Sequence, residues 1–301
     1  MNELDIIYLL LILFIMKTHY LLILLIFSVL IAFIFAIINK DTETKQKVVS
    51  SENDKNYKLL HIIKRKDVDD RIYTQGLFLS DDGKFLYQSG GLYEKSSLTK
   101  MKFPSLEIVE EYRLPKDFFG EGIAICNNKI YQMTWREKKM LIYSYPEMEF
   151  IKTIDMPKEM KEGWGLSQGK KTNELYATDG SEFIYSYSCD KEELDFINKT
   201  EINTEEGRKV MNLNDLIYVD GYIYANIYTT ALIIKINPET GTVVQWYNMR
   251  PLVKYEIDSR TLQVNNYSDG DVLNGICYNK VKKSFLITGK RWGFFYEVVL
   301  K

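Results

Sequence analysis

The chain has 301 residues, a formal net charge of -2, 46% hydrophobic residues and 14% aromatic residues. This is an ordinary globular balance, and with no block of basic charge it offers no case for nucleic-acid binding. Cysteine is scarce, at three residues, and no Cys-x-x-Cys occurs; both a disulfide scaffold and a thiolate metal site are disfavoured.

Residues 20–38, YLLILLIFSVLIAFIFAII, form an uncharged apolar run. At about 1.5 Å per residue such a run covers a bilayer core of roughly 30 Å. A shorter apolar stretch at 6–16 precedes it and is broken by Lys17, Thr18 and His19. A cleaved signal peptide has an apolar core of about 7–15 residues followed by small residues, whereas this run ends in IINKDTETK. The expectation is an N-terminal anchor over 1–40 with a retained transmembrane helix at about 20–38. Lys17 and His19 on one side face Lys40, Lys45 and Lys47 on the other, so charge leaves its orientation open. The polar stretch 41–56 reads as a linker.

Beyond it the chain repeats. Five units open on a Gly-apolar step or its equivalent: QGLFLSDDGKFLYQSGG, EGIAICNNKIYQMTW, WGLSQGKKTNELYATDG, NDLIYVDGYIYANIY and NGICYNKVKKSFLITGK. Gly76, Gly122, Gly165 and Gly275 mark four of them, with Asp215 in the fourth unit's place. A repeat of several tens of residues, each with three or four short alternating stretches, predicts propeller blades. The fifth unit ends after its third strand, and YKLLHIIKR at 57–65 has strand character; it is expected to supply the missing strand and close the ring. The fold expected is all-β, a five-bladed β-propeller over 57–301.

In a propeller the first strand of each blade lines the central channel. The residues before the opening steps, Gln75, Glu121, Trp164, Asn214 and Asn274, therefore form a ring at one mouth. Aligning Tyr87, Tyr131, Tyr176, Tyr224 and Leu286 gives a second ring from the ends of the second strands: Gly91, Trp135, Gly180, Tyr228 and Lys290. Together they describe an aromatic-walled pocket with one acid, one base and several amides. Glu121 lies between Gly120 and Gly122, a setting that reads as room for a substrate to approach. Asp179 reads as a turn residue fixing blade geometry.

The two histidines are His19 and His61, so the repeats contain none. That removes Ser-His-Asp triads, Cys-His dyads and His-ligated zinc. Cys126 and Cys277 fall in strand-like stretches and read as buried free thiols. The sequons Asn198-Lys-Thr and Asn266-Tyr-Ser matter only for a domain in a secretory lumen.

The strings YTQGL, GLYEKSS, FGEGIAI, IYQMTW, GWGL, TDGS, LNDL, YANIY, VLNGI and ITGKRW, in one order from Tyr73 to Glu297, resemble those of the glutaminyl-peptide cyclotransferases of the plant and bacterial type. The resemblance implies a five-bladed propeller that converts an N-terminal glutamine to pyroglutamate with release of ammonia. It implies Glu121 as catalytic acid/base, with Gln75, Trp135, Trp164, Asn214 and Lys290 matching the family's pocket residues. Four positions depart from the pattern: Tyr228 replaces the tryptophan of ANIW, Asp215 and Ile217 stand in LNDLI where LNELE is usual, and Gln88 replaces the glutamate of FESTG. No cofactor and no catalytic metal are expected.

The chemistry suits a site without histidine. An α-amine attacking its own γ-amide needs the reactive rotamer held and one proton carried from amine to leaving ammonia, which a single carboxyl can do. The expected assignment is Glu121 and Lys290 in catalysis, with Gln75, Trp135, Trp164, Asn214, Tyr228 and Asn274 binding substrate, Asn274 having the alternative of bonding backbone. Peptides or proteins with N-terminal glutamine are the expected partners, met in a secretory lumen or outside the cell. Two other readings stay open: a propeller that only binds peptides or proteins, and a calcium-dependent propeller hydrolase of the lactonase kind, which wants more carboxylates than the one in these rings.

Overall fold

The computed structural model divides the chain into two units, residues 1–51 and 52–301. It describes residue 30 and residues 56–65, 73–191, 193–259 and 270–301. The segment expected to span a membrane lies outside the described residues apart from Leu30, as does the linker apart from Asn56. No helix among the described residues is long and apolar enough to cross a membrane.

The second unit is a ring of five four-stranded antiparallel sheets. Blade 1 is β2 (Thr74–Leu79), β3 (Phe85–Gly90), β4 (Ser97–Lys102) and β5 (Ile108–Arg113). Blade 2 is β6 (Gly120–Cys126), β7 (Lys129–Thr134), β8 (Lys139–Ser144) and β9 (Phe150–Asp155). Blade 3 is β10 (Leu166–Gln168), β11 (Glu174–Thr178), β12 (Phe183–Ser188) and β13 (Asp195–Glu201). Blade 4 is β14 (Leu213–Val219), β15 (Tyr222–Ile227), β16 (Leu232–Ile236) and β17 (Val243–Asn248). Blade 5 is β18 (Leu273–Asn279), β19 (Ser284–Gly289) and β20 (Phe294–Leu300), completed by β1 (Tyr57–Lys64). The expected ring closure is present: β1 runs antiparallel to β20, with Tyr57 opposite Leu300 and Lys64 opposite Phe294.

Burial falls from the axis outward. Every residue of β2 is buried, while β5, β9 and β13 are largely exposed. Tight turns join the inner strands where φ must be positive. Asn127 and Asn128 turn β6 into β7, and Asp220 and Gly221 turn β14 into β15; these residue types tolerate the left-handed region that a tight hairpin needs. Apolar side chains fill the seams between blades, as where Tyr131, Met133 and Ala124 pack with Leu166, Leu175 and Tyr187.

The repeated glycine belongs to these seams. A Cβ on Gly76 would meet the backbone of Gly122 and Ile123, one on Gly122 that of Trp164 and Leu166, and one on Gly165 that of Asn214, each closer than real Cβ atoms come. Gly122, one of the two glycines beside Glu121, thus admits the next blade's backbone rather than making room for substrate.

Cys126 is not a free thiol. It is disulfide-bonded to Cys189, with Cα atoms 6.3 Å apart, and only Cys277 is free and buried. Cys126 ends the first strand of blade 2 and Cys189 follows the third strand of blade 3. The two are 63 residues apart in sequence, and their proximity depends on blade packing that no local spacing announces.

Arg65, just past β1, pins the closure. Its backbone N–H donates to Gly293 O (2.9 Å). Its buried guanidinium donates to Gln88 Oε1 (3.0 Å), Thr74 Oγ1 and Thr288 Oγ1 (both 3.3 Å), and lies 3.9 Å from the Phe295 ring centre. Helix α1 (Arg250–Asp258) follows blade 4. It contributes a buried carboxylate, Glu256, that accepts from Gly293 N, Phe294 N and Tyr296 Oη. The N-terminal strand is therefore held by its backbone ladder and, through Arg65, by side chains of blade 1 and of its own blade.

Candidate active site

The first ring sits on β-bulges. Register slips occur between Thr74 and Gly76, Gly120 and Ile123, Leu213 and Leu216, and Leu273 and Ile276. Gln75, Glu121, Asn214 and Asn274 fall inside these slips, where a bulge re-aims a side chain that regular pleating would send into a sheet face. In blade 3 the strand starts only at Leu166, and Trp164 occupies the equivalent place, its N–H bonded to Thr178 O (3.1 Å).

Glu121 is 5% exposed. Gln75 Nε2 donates to Glu121 Oε1 at 3.0 Å, and Asn274 Nδ2 donates to Gln75 Oε1 at 3.2 Å and to Thr74 O at 3.0 Å. The amide of Asn274 is thus spent on blade 1, the alternative the sequence left open for it, while its Oδ1 has no partner among the described residues. Asn214 Oδ1 is likewise buried without a partner among them. A buried acceptor of this kind can accept a hydrogen bond from a substrate amine or amide.

Burial pushes the Glu121 carboxyl well above the usual carboxylate range. Lys290 opposes that shift, while Glu162, Glu137 and Asp215 reinforce it. Lys290, 4% exposed, moves the other way: burial lowers its ammonium to about 8 against the pull of Glu121 and Asp215. Its Nζ lies 4.6 Å from the Tyr228 ring centre and 5.0 Å from that of Tyr73, so two aromatic faces take the place of hydration. An acid raised and a base lowered inside one low-dielectric site is the pattern expected of proton-transfer chemistry.

Aromatic side chains of both rings lie together. Trp164 meets Tyr228 edge to face at 5.4 Å, and Trp135 packs on Phe119 at 5.5 Å. Gly180 belongs to the wall through its missing side chain, since a Cβ there would strike the Trp164 indole. Asp179 is a turn residue as expected, accepting from Ser181 N, Lys161 N and Tyr185 Oη.

Three residues escaped the sequence reading. Asp215, counted there only as a departure, is fully buried; Ile276 N donates to its Oδ2 at 2.8 Å, and its Oδ1 has no partner among the described residues. Burial raises its carboxyl well above the usual range, and the site therefore holds a second buried acid. Its signal was position, next to the ring residue Asn214. Tyr73, two residues before Gln75, covers Lys290. Glu162, two residues before Trp164, accepts from Trp135 Nε1 (2.6 Å), Trp164 Nε1 (3.1 Å) and Arg136 Nε (3.2 Å). Nothing in sequence separates it from a solvated loop glutamate.

A family model described as glutamine cyclotransferase matches residues 30–300. The chain belongs to that family. The glutaminyl-peptide cyclotransferase of Arabidopsis thaliana is 30% identical over 231 residues, 76% of this chain and 67% of the plant protein. Among solved structures, Myxococcus xanthus glutaminyl cyclase superposes with a TM-score of 0.69 at 25% identity, covering 81% of this chain and 96% of the bacterial one. A luciferin-regenerating enzyme matches at a TM-score of 0.50 and 10% identity, over 79% of this chain and 95% of its own, a likeness of fold alone. As a member of the cyclotransferase family, the chain forms a complete five-bladed ring.

Proposed function

We propose that this glutaminyl cyclase turns N-terminal glutamine of peptides or proteins into pyroglutamate by a route that needs no metal, with Glu121 carrying the proton. The observation that supports it is a buried carboxyl, hydrogen-bonded to Gln75 and coupled electrostatically to a buried lysine, at an aromatic-walled mouth.

The α-amine attacks the γ-amide carbon, forming the lactam C–N bond, and the bond to the amide nitrogen then breaks. Because attacker and target share one residue, the site's first task is to hold the folded rotamer, an orientation effect that reaches several kcal/mol. Trp135, Trp164 and Tyr228 supply the walls that bind the glutamine, and Asn214 and Asn274 offer acceptors that can fix the amine. Glu121, in its protonated form, gives its proton to the departing nitrogen and regains one from the attacking nitrogen, so ammonia leaves with no net change in the enzyme. The ammonium of Lys290 stabilises negative charge developing on the carbonyl oxygen.

Mass spectrometry of a short Gln-initiated peptide incubated with the protein, with and without chelator, tests this. Loss of one ammonia unaffected by chelator is expected; a chelator-abolished reaction overturns the metal-free route.

The propeller is further assigned to an oxidising compartment, a secretory lumen or the cell exterior, and the anchor at about 20–38 is proposed to tether it there. The Cys126–Cys189 disulfide supports the first part, since such bonds persist where glutathione and thioredoxin do not reduce them. Digestion of the propeller from the cytosolic face of intact membranes overturns it.

A further inference from the structure

Glu162 stands in the loop between β9 and β10 and accepts both pocket indoles on one carboxylate oxygen, Oε2, at 2.6 Å from Trp135 and 3.1 Å from Trp164. Its other oxygen accepts from Arg136, whose guanidinium in turn lies 3.8 Å from the Trp135 ring centre. The loop that carries it is fixed on both sides. Lys161 N donates to Asp179 Oδ2 at 3.2 Å, and Gly163 N donates to Trp135 O at 3.0 Å. At Gly163 no side chain fits, because a Cβ would collide with Thr134 O and the Met133 side chain. The two tryptophans come from different blades, with Trp135 after the second strand of blade 2 and Trp164 before the first strand of blade 3. The shared acceptor ties the two N–H edges to one point, a constraint that packing on Phe119 and Tyr228 does not supply.

We infer that Glu162 is a positioning residue for substrate, a clamp that locks the two indoles of neighbouring blades into one wall for the N-terminal glutamine. The inference rests on the cyclase reading of the site. Partial burial opposes ionisation of Glu162, but the hydrogen bonds from Trp164, Trp135 and Arg136 prevail and hold its carboxyl below the usual range. A carboxylate able to accept at both oxygens is therefore present at neutral pH. A positioning role separates from a catalytic one kinetically. A disordered wall weakens the hold on substrate in ground and transition states alike, so KM rises while kcat is largely kept. It also separates charge from hydrogen bonding: the amide oxygen of glutamine can still accept both indoles, whereas alanine accepts neither.

The test is steady-state ammonia release from a short Gln-initiated peptide by the full chain, with peptide Kd read in parallel from tryptophan fluorescence. Glu162→Ala is expected to raise KM and Kd about tenfold while kcat stays within about threefold. Glu162→Gln is expected to restore KM to within about threefold of wild type. Trp135→Phe and Trp164→Phe keep a ring but remove the N–H. Each is expected to raise KM severalfold alone and to add little in the Glu162→Ala background, and the single variants decide the matter should Glu162→Ala fail to fold. An unchanged KM in Glu162→Ala or in both phenylalanine variants overturns the clamp, as does a glutamine variant no better than alanine. A wild type that binds peptide without releasing ammonia refutes the cyclase reading and leaves the clamp to be judged on Kd; one that does neither refutes both.

Discussion

Glu121 shows what a buried acid costs. The unfolded chain releases this proton above about pH 4.5, the ordinary value for glutamate, whereas the folded chain retains it to higher pH. The group's contribution to stability is therefore full below that unfolded value and is lost as pH rises towards the folded one, and at pH 7 its burial is a net cost. Glu121→Gln removes the ionisation and, on the proposed mechanism, the proton carrier. Turnover is expected to fall by about 10²–10⁴, with a melting temperature equal to or above that of wild type; a variant with wild-type turnover removes Glu121 from the mechanism. Lys290 sets the alkaline side. Its ammonium titrates at about 8, close to the roughly 7.7–8.0 of a peptide α-amine. The pH profile of kcat/KM should rise as the substrate amine loses its proton and fall as Lys290 does, giving a narrow bell near pH 8. Lys290→Met should lower kcat by about 10²–10³ and erase the falling limb. A wild-type profile flat to about pH 10 excludes a protonated Lys290 from the reaction.

At the scale of strands, sequence and structure part company where pairing becomes irregular. The alternating stretches, their order and the closing role of residues 57–65 were legible because alternation and repeat spacing are local properties of a chain. The ring residues were legible for the same reason, since the Gly-apolar step places Gln75, Glu121, Asn214 and Asn274 at equivalent positions. The bulges that aim them, and the use of Gly76, Gly122 and Gly165 as contact points between blades, were not, because both depend on the neighbouring strand. Glu162 and the Cys126–Cys189 bond were hidden more completely. Each joins blade 2 to blade 3, and neither partner predicts the other without the ring. Arg65 belongs to this scale as well. Its removal leaves Gln88 Oε1 without its donor and empties the space over Phe295, so Arg65→Ala should cost about 2–4 kcal/mol in urea unfolding. Gln88→Glu, placing a carboxylate against this guanidinium, should raise the urea midpoint; a lowered midpoint would show that desolvation of the new charge outweighs the pairing.

The propeller as a whole is held by two long-range ties, the disulfide and the β1–β20 pairing that closes the ring. The disulfide encloses a loop of 63 residues, for which the chain-entropy account gives about 4 kcal/mol. Cys126→Ser with Cys189→Ser, or added reductant, should lower the melting temperature by several degrees, and reductant should do nothing further to the double variant. An equal melting temperature with and without reductant contradicts a structural role for the bond. The ring closure bears on how the protein is made. β1 is synthesised before any other strand of the propeller and its partner β20 after all of them. At about 5–20 residues per second, the ribosome takes roughly ten to fifty seconds to travel between them. Throughout that interval the first-made strand is an unpaired edge, open to any passing chain, so a ribosome that stalls late in the message leaves four finished blades and an exposed template for aggregation.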